Sequence, residues 1–171
     1  QTPFDALVNE LLKGLKKTAP DPSLFGNTNK PGPKVAVLPF IADDIPISPH
    51  LARELNDRLI ASILSATGQR FRIMSQAEIR TLMGKIAEFS HFDDAADPLA
   101  TLMRQKAELG RSAKPDILIM GTIRNDGESI LLSYKAAWLT TGQIVASTLP
   151  HIVAKAGKAN VAQLSLKQVA K

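Results

Sequence analysis

Cysteine is absent from this 171-residue chain, so it offers no disulfide framework, no thiolate metal site and no thiol nucleophile. That absence fits the periplasm and the cytosol equally. Aromatic residues make up only 5%, with Trp138 and Tyr134 the sole members of their types, which is poor material for the stacking platforms of nucleic-acid binders. No apolar run approaches the roughly 20 residues that a membrane-crossing helix needs, so a soluble protein is expected. The chain opens at Gln1 with neither an initiator Met nor a basic-then-apolar leader. Any export signal is therefore expected to have been removed, and a lipid-bearing Cys ahead of Gln1 would leave no trace. The phosphate-cradling patterns Gly-x-x-x-x-Gly-Lys-Ser/Thr and Gly-x-Gly-x-x-Gly are missing, as is the Gly-x-Ser-x-Gly nucleophile elbow.

What is present is an apolar fraction of 44%, enough to bury a single core, and one domain of roughly 130 residues plus an appendage is the natural reading. The net charge of +5 and pI near 9.6 raise the question of an anionic partner. Lysines gather towards the two ends, with Lys13, Lys16 and Lys17 at one and Lys155, Lys158, Lys167 and Lys171 at the other. Two readings follow: a solvated surface, or an anion-facing patch.

The chain is organised around residues 34–41, Lys-Val-Ala-Val-Leu-Pro-Phe-Ile, a short and nearly unbroken apolar run that suits a strand covered on both faces. Pro39 cannot donate a ladder hydrogen bond, so pairing is expected to weaken there and the chain to leave the sheet near Phe40. Upstream, Thr2-Pro3-Phe4-Asp5 reads as a helix start, and Phe4, Leu7, Val8, Leu11, Leu12 and Leu15 follow as one apolar stripe. That stripe lies either against its own domain or on a partner or second copy. Residues 19–33, rich in Pro and Gly, read as a linker from which the first helix could sit well away from the strand.

Downstream, Leu51, Leu55, Leu59, Ile60, Ile63 and Leu64 supply the buried face of a helix that stops at Gly68. Phe71, Ile73 and Met74 make a short strand, and Ser75 with Glu78 forms a capping box for a second helix with Ile79, Leu82, Met83 and Ile86 inward. Residues 88–98 read as loop, and Asp97-Pro98 opens a third helix with Leu99, Leu102, Met103 and Leu109 buried. Residues 116–124 are a second buried strand, followed by turns at residues 125–128 and 140–143 that make a three-stranded antiparallel meander. The fold class is α/β: a mixed sheet in the order strand, helix, strand, helix, helix, then meander, covered by helices, with an N-terminal amphipathic helix on a Pro-rich linker. Domain boundaries fall at residues 1–18 for the helix, 19–33 for the linker, 34–150 for the α/β domain and 151–171 for a C-terminal segment with helical character.

Reactive chemistry is sparse. His50, His91 and His151 lack metal-ligand spacing to one another. His91 with Asp93, Asp94 and Asp97 is the best metal or acid/base candidate, but all four crowd one polar loop, where solvated residues are the plainer reading. Gly121 marks either a bulge or close helix crossing, or a ligand approach. Tyr134 and Trp138 share a strand face, which reads as core packing. No catalytic residue, no cofactor site and no metal site is assigned.

The segments Val35-Ala36-Val37-Leu38-Pro39-Phe40, Leu51-Ala52-Arg53-Glu54-Leu55, Asp116-Ile117-Leu118-Ile119-Met120-Gly121-Thr122 and Thr141-Gly142-Gln143-Ile144-Val145-Ala146-Ser147 together resemble one superfamily. It is that of the bacterial envelope modules typified by the TolB amino-terminal domain, FlgO, CsgG, LpoB and PelC. The resemblance covers about residues 34–149, with the spacing of Asp126-Gly127 and Thr141-Gly142 nearest the FlgO-like branch, and without the long membrane-inserting hairpins of the curli pore. It implies a non-enzymatic, periplasmic or outer-membrane-anchored module that binds envelope proteins and assembles with or regulates a flagellar, secretion, export or cell-wall machine. The alternatives are a ring-forming homo-oligomer and an anion- or nucleotide-binding domain. No nucleic-acid partner is expected, and membrane association is expected only through a lipid anchor or a partner. The expected partner-binding residues are Phe4, Leu7, Leu11 and Leu15.

Overall fold

Strand residues that alternate apolar side chains on both faces need cover on both sides, and the computed structural model supplies it. It describes residues 3–20, 32–42, 49–90, 104, 114–125 and 130–148. The elements are α1 (Pro3–Thr18), β1 (Lys34–Ala42), α2 (Pro49–Ala66), β2 (Arg72–Ile73), α3 (Gln76–Ser90), β3 (Ile117–Asn125), β4 (Ile130–Trp138) and β5 (Ile144–Thr148). They build a five-stranded mixed sheet in the order β2-β1-β3-β4-β5, the α/β architecture expected. β1 is parallel to both β2 and β3, with Val35 beside Ile117 and Ile73, and β3, β4 and β5 form the antiparallel meander.

Period-two alternation sorts the side chains. Val35, Val37, Ile117, Ile119, Leu132, Tyr134, Ala136 and Trp138 face one layer, formed by Leu7, Val8, Leu11 and Leu15 of α1 and Leu55, Leu59 and Ile63 of α2. On the opposite face Ala36, Leu38, Leu118, Met120 and Ala137 pack with Met74 and with Ile79, Leu82 and Ile86 of α3. The near-continuous apolar reading of β1 and β3 thus has its physical reason in cover on both faces.

Local signals place the element ends. α2 stops at Gly68 and Gln69, both in the left-handed region at φ 63° and 60°, and the Gln69 amide reaches back to the Leu64 carbonyl at 2.7 Å. At the start of α3 the Ser75 amide donates to Glu78 Oε1 at 3.1 Å while the Glu78 amide donates to Ser75 Oγ at 3.2 Å, the reciprocal capping box. Asp116 closes the entry to the central strands: its Oδ2 accepts from the Lys34 amide at 2.8 Å, and its own amide donates to the Lys34 carbonyl at 2.8 Å.

Four expectations need correction or refinement. The chain does not leave the sheet at Phe40. Leu38 pairs with Met120 and Ile41 with Thr122, so Pro39 and Phe40 together stand opposite Gly121 as a bulge, after which β1 continues to Ala42. A proline tolerates this position because a bulge needs no ladder donor there, and the mid-strand Gly121 lies across from it. The helix after Ser75 runs on to Ser90, past the loop start expected at residue 88, because residues 88–90 continue its hydrogen-bonded turn. β2 is confined to Arg72–Ile73, although the Met74 amide still donates to the Val35 carbonyl at 2.8 Å. Finally, α1 is not held away from the sheet: it packs on α2, β4 and β5. Of the helix expected after Pro98 only Arg104 is described, in helical conformation; the turn expected at residues 125–128 falls outside the described residues beyond Asn125, and so does the C-terminal segment 151–171.

Candidate interaction surface

The seat of α1 decides what its apolar stripe does. Leu7, Leu11 and Leu15 are no more than 2% exposed, inside the layer that covers Tyr134 and Trp138. The indole Nε1 of Trp138 donates to the Leu15 carbonyl at 3.1 Å in a buried site, satisfying one of the orphan acceptors at the end of the helix. Asp5 accepts from Ser62 Oγ at 3.3 Å near the other end of α1. Leu7, Leu11 and Leu15, expected as partner contacts, are covered in the described structure by their own sheet. The side chain of Phe4 lies outside those described.

The remaining sequence candidates separate. His50 is exposed on α2 and lies 2.6 Å from Glu54, one helical turn on. His91, Asp93, Asp94, Asp97 and His151 lie outside the described residues. Among the described residues no group of His, Asp and Glu converges as a metal site. No described helix is long and apolar enough to cross a membrane. Tyr134 is fully buried, and its hydroxyl donates to Asn56 Oδ1 at 3.4 Å while Asn56 Nδ2 donates to the Leu38 carbonyl at 3.1 Å. Burial raises the Tyr134 pKa well above the ordinary phenol value, so the neutral side chain bridges β4, α2 and β1 as a structural strut. Glu78 has the opposite shift. A hydrogen bond from Lys34 Nζ, 2.9 Å away, and the Ser75 amide lower its carboxyl from 4.5 to about 2. That group ties α3 to β1 at the surface and faces no other reactive side chain in the described structure.

Among the grooves on the described surface, two have apolar floors or walls. One, of about 330 Å³, lies at the C-terminal side of β1 between α2 and α3, where Val37, Asn56, Ile60 and Ile79 form the walls and Arg53 and Asp57 the rim. Among the described residues its ionisable groups are one guanidinium and one carboxylate, without a nucleophile and base pair. The other, of about 390 Å³, lies between the C-terminal halves of α1 and α2. Leu12, Ala66 and Phe71 line it together with Lys13, Lys16 and Arg70. Lys13 and Lys16 belong to a basic end of the sequence, but no spacing in it joins them to Arg70, because the fold alone brings those segments together.

The fold is shared with a solved structure. The LpoB C-terminal domain from Salmonella enterica superposes with a TM-score of 0.50 over 85% of this chain and 95% of that one, at 10% sequence identity. TolB from Acinetobacter baumannii aligns with 72% of this chain and 24% of its own length, TM-score 0.37 and 15% identity. Lipoprotein GNA1162 from Neisseria meningitidis aligns over 67% and 76%, TM-score 0.38 and 13% identity. No protein-family model matches the chain, and no curated protein matches it in sequence. At the level of architecture, the first superposition agrees with the superfamily resemblance carried by residues 34–149.

Proposed function

We propose that this chain is a non-enzymatic module of the bacterial cell envelope that works by binding other proteins. One observation supports the reading: 85% of the chain superposes on 95% of the LpoB C-terminal domain, a likeness of architecture. The described residues agree with it, because the grooves beside α2 are lined by apolar side chains and unreactive charges, and the perturbed groups, buried Tyr134 and partly exposed Glu78, are engaged in holding the fold. A fold supports many functions, so the surface chemistry matters as much as the likeness. The location that follows is the periplasm, at the outer membrane where an anchor or partner holds it there. The machine it serves is one of flagellar assembly, secretion, export or cell-wall synthesis.

The test is affinity purification of the full chain from crosslinked cells under mild detergent, beside light scattering of the purified protein. Reproducible recovery of one envelope protein in fixed ratio, with a monomeric mass for the chain alone, is the expected result. A closed ring in light scattering would replace this reading with a homo-oligomeric export component. Turnover of a cell-wall fragment or nucleotide by the purified chain would overturn it.

A further inference from the structure

Resting on the protein-binding reading above, we propose that the groove between α1 and α2 receives an acidic segment of the partner protein that carries a large apolar side chain. The floor is apolar: Phe71 is 5% exposed and belongs to the core, Leu12 packs against that core, and Ala66 adds a small wall. The rim is cationic. Lys13 and Lys16 are exposed three residues apart, hence on one helix face, and Arg70 stands across from them beyond the end of α2. Among the described residues no carboxylate lines the groove. The described ion pairs of other basic residues, Lys34 with Glu78, His50 with Glu54 and Lys85 with Glu88, do not involve Lys13 or Lys16.

Two plainer explanations fall short. Basic residues in the last turn of a helix offset its dipole, and Lys16 and Lys17 qualify, but Lys13 lies a turn earlier. A solvated charged face accounts for lysines on a convex surface and does not account for an apolar hollow whose described rim residues Lys13, Lys16 and Arg70 are all cations. That shape also selects among anionic partners. A membrane surface is met by apolar side chains that project outward, whereas here the apolar atoms are recessed below the cations. Free phosphate has no use for the floor. A peptide that sets a Leu or Phe side chain on Phe71 and Leu12, with Asp or Glu beside it, meets both parts at once.

The experiment places the photo-crosslinker benzoylphenylalanine in the full chain, in the cells it comes from, at Lys13, Lys16 or Thr67, with Arg80 and Lys85 on the exposed side of α3 as reference positions. The expected result is adducts at the three groove positions to one protein, with Asp or Glu flanking an apolar residue in the crosslinked peptide. The yield at Thr67 is expected to fall at least tenfold in Lys13→Glu/Lys16→Glu, and by less in Lys13→Gln/Lys16→Gln, with unchanged thermal midpoints. An unchanged yield after charge reversal, or a crosslinked peptide lacking acidic residues, would overturn the proposal. So would charge-dependent sedimentation of the chain with phosphatidylglycerol vesicles in place of protein adducts. Protein adducts only at Arg80 or Lys85 sink the groove and leave the protein-binding reading standing, while absence of protein adducts at every position sinks both.

Discussion

The two faces of the sheet are held by different means. On the face under α1 and α2, Trp138 and Tyr134 combine large buried area with a single polar handle each, and both handles bond across elements, to the Leu15 carbonyl and to Asn56. On the face under α3 the buried side chains described are aliphatic or Met with two small alanines, Ala36 and Ala137, and the polar ties sit at the rim, in Ser75, Glu78 and Lys34. Directional bonds inside a packed layer fix one register of helix on sheet, whereas Met and Leu contacts accept small shifts. The comparison teaches that α1, for all its distance from β4 in sequence, is among the most specifically seated elements of the fold.

The largest expected effect tests that seat. Trp138→Ala removes the indole and is expected to cost about 3–5 kcal/mol in urea unfolding, against about 2–5 kcal/mol for Leu82→Ala on the opposite face. Trp138→Phe keeps most of the volume and leaves the Leu15 carbonyl with only the longer bond from Thr18 Oγ1 at 3.4 Å, at a cost of about 0.5–1.5 kcal/mol. Faster amide exchange confined to α1 in Trp138→Phe would locate that cost at the helix. Equal stability of Trp138→Phe and the native chain would show that the hydrogen bond does not seat α1.

Next come two glycines that separate the faces by sign. A Cβ on Gly14 would overlap Val145 Cγ1 and come within 3.2 Å of Val145 Cβ, so α1 approaches β5 as closely as it does only because no side chain intervenes. Gly14→Ala is expected to destabilise by about 1–3 kcal/mol. Gly84, exposed within α3, has nothing within 4 Å of the same added atom. There Gly84→Ala is expected to stabilise by about 0.5–1 kcal/mol through backbone entropy. Thermal midpoints moving in the same direction for both would erase the distinction.

These contrasts mark what could be read in the chain. The unbroken apolar runs of β1 and β3 announced strands covered on both sides, and the Ser75 to Glu78 spacing announced a cap, because each is a local consequence of side-chain period or reach. The stripe of α1 announced burial without saying against what: the deciding bond joins Trp138 to Leu15 across 123 positions, and no pattern of spacing encodes it. Pro39 misled for a related reason. The missing donor is a local fact, but the bulge that absorbs it depends on Gly121 in the neighbouring strand. The basic groove was hidden in the same way, since Lys13 and Arg70 meet only after α1 has docked. The cap itself predicts a smaller effect, a loss of about 0.5–2 kcal/mol in Ser75→Ala.

The smallest effect is a dependence on pH at the rim of the α3 face. The Glu78 carboxyl, exposed in part, is held at about 2 in the folded chain against an ordinary 4.5 by Lys34 and the Ser75 amide. Because the folded form resists protonation more than the unfolded form, this group adds stability that is fully present above pH 4.5 and is lost as the pH falls towards about 2. Urea midpoints of the native chain are therefore expected to decline through that window more steeply than those of Glu78→Gln, whose amide still caps Ser75 but carries no charge for Lys34. The two curves are expected to converge near pH 2, where Glu78 itself becomes protonated. Parallel curves across the window would mean that the Lys34 to Glu78 contact does not couple α3 to β1, leaving the apolar layer and the Ser75 cap to hold that face.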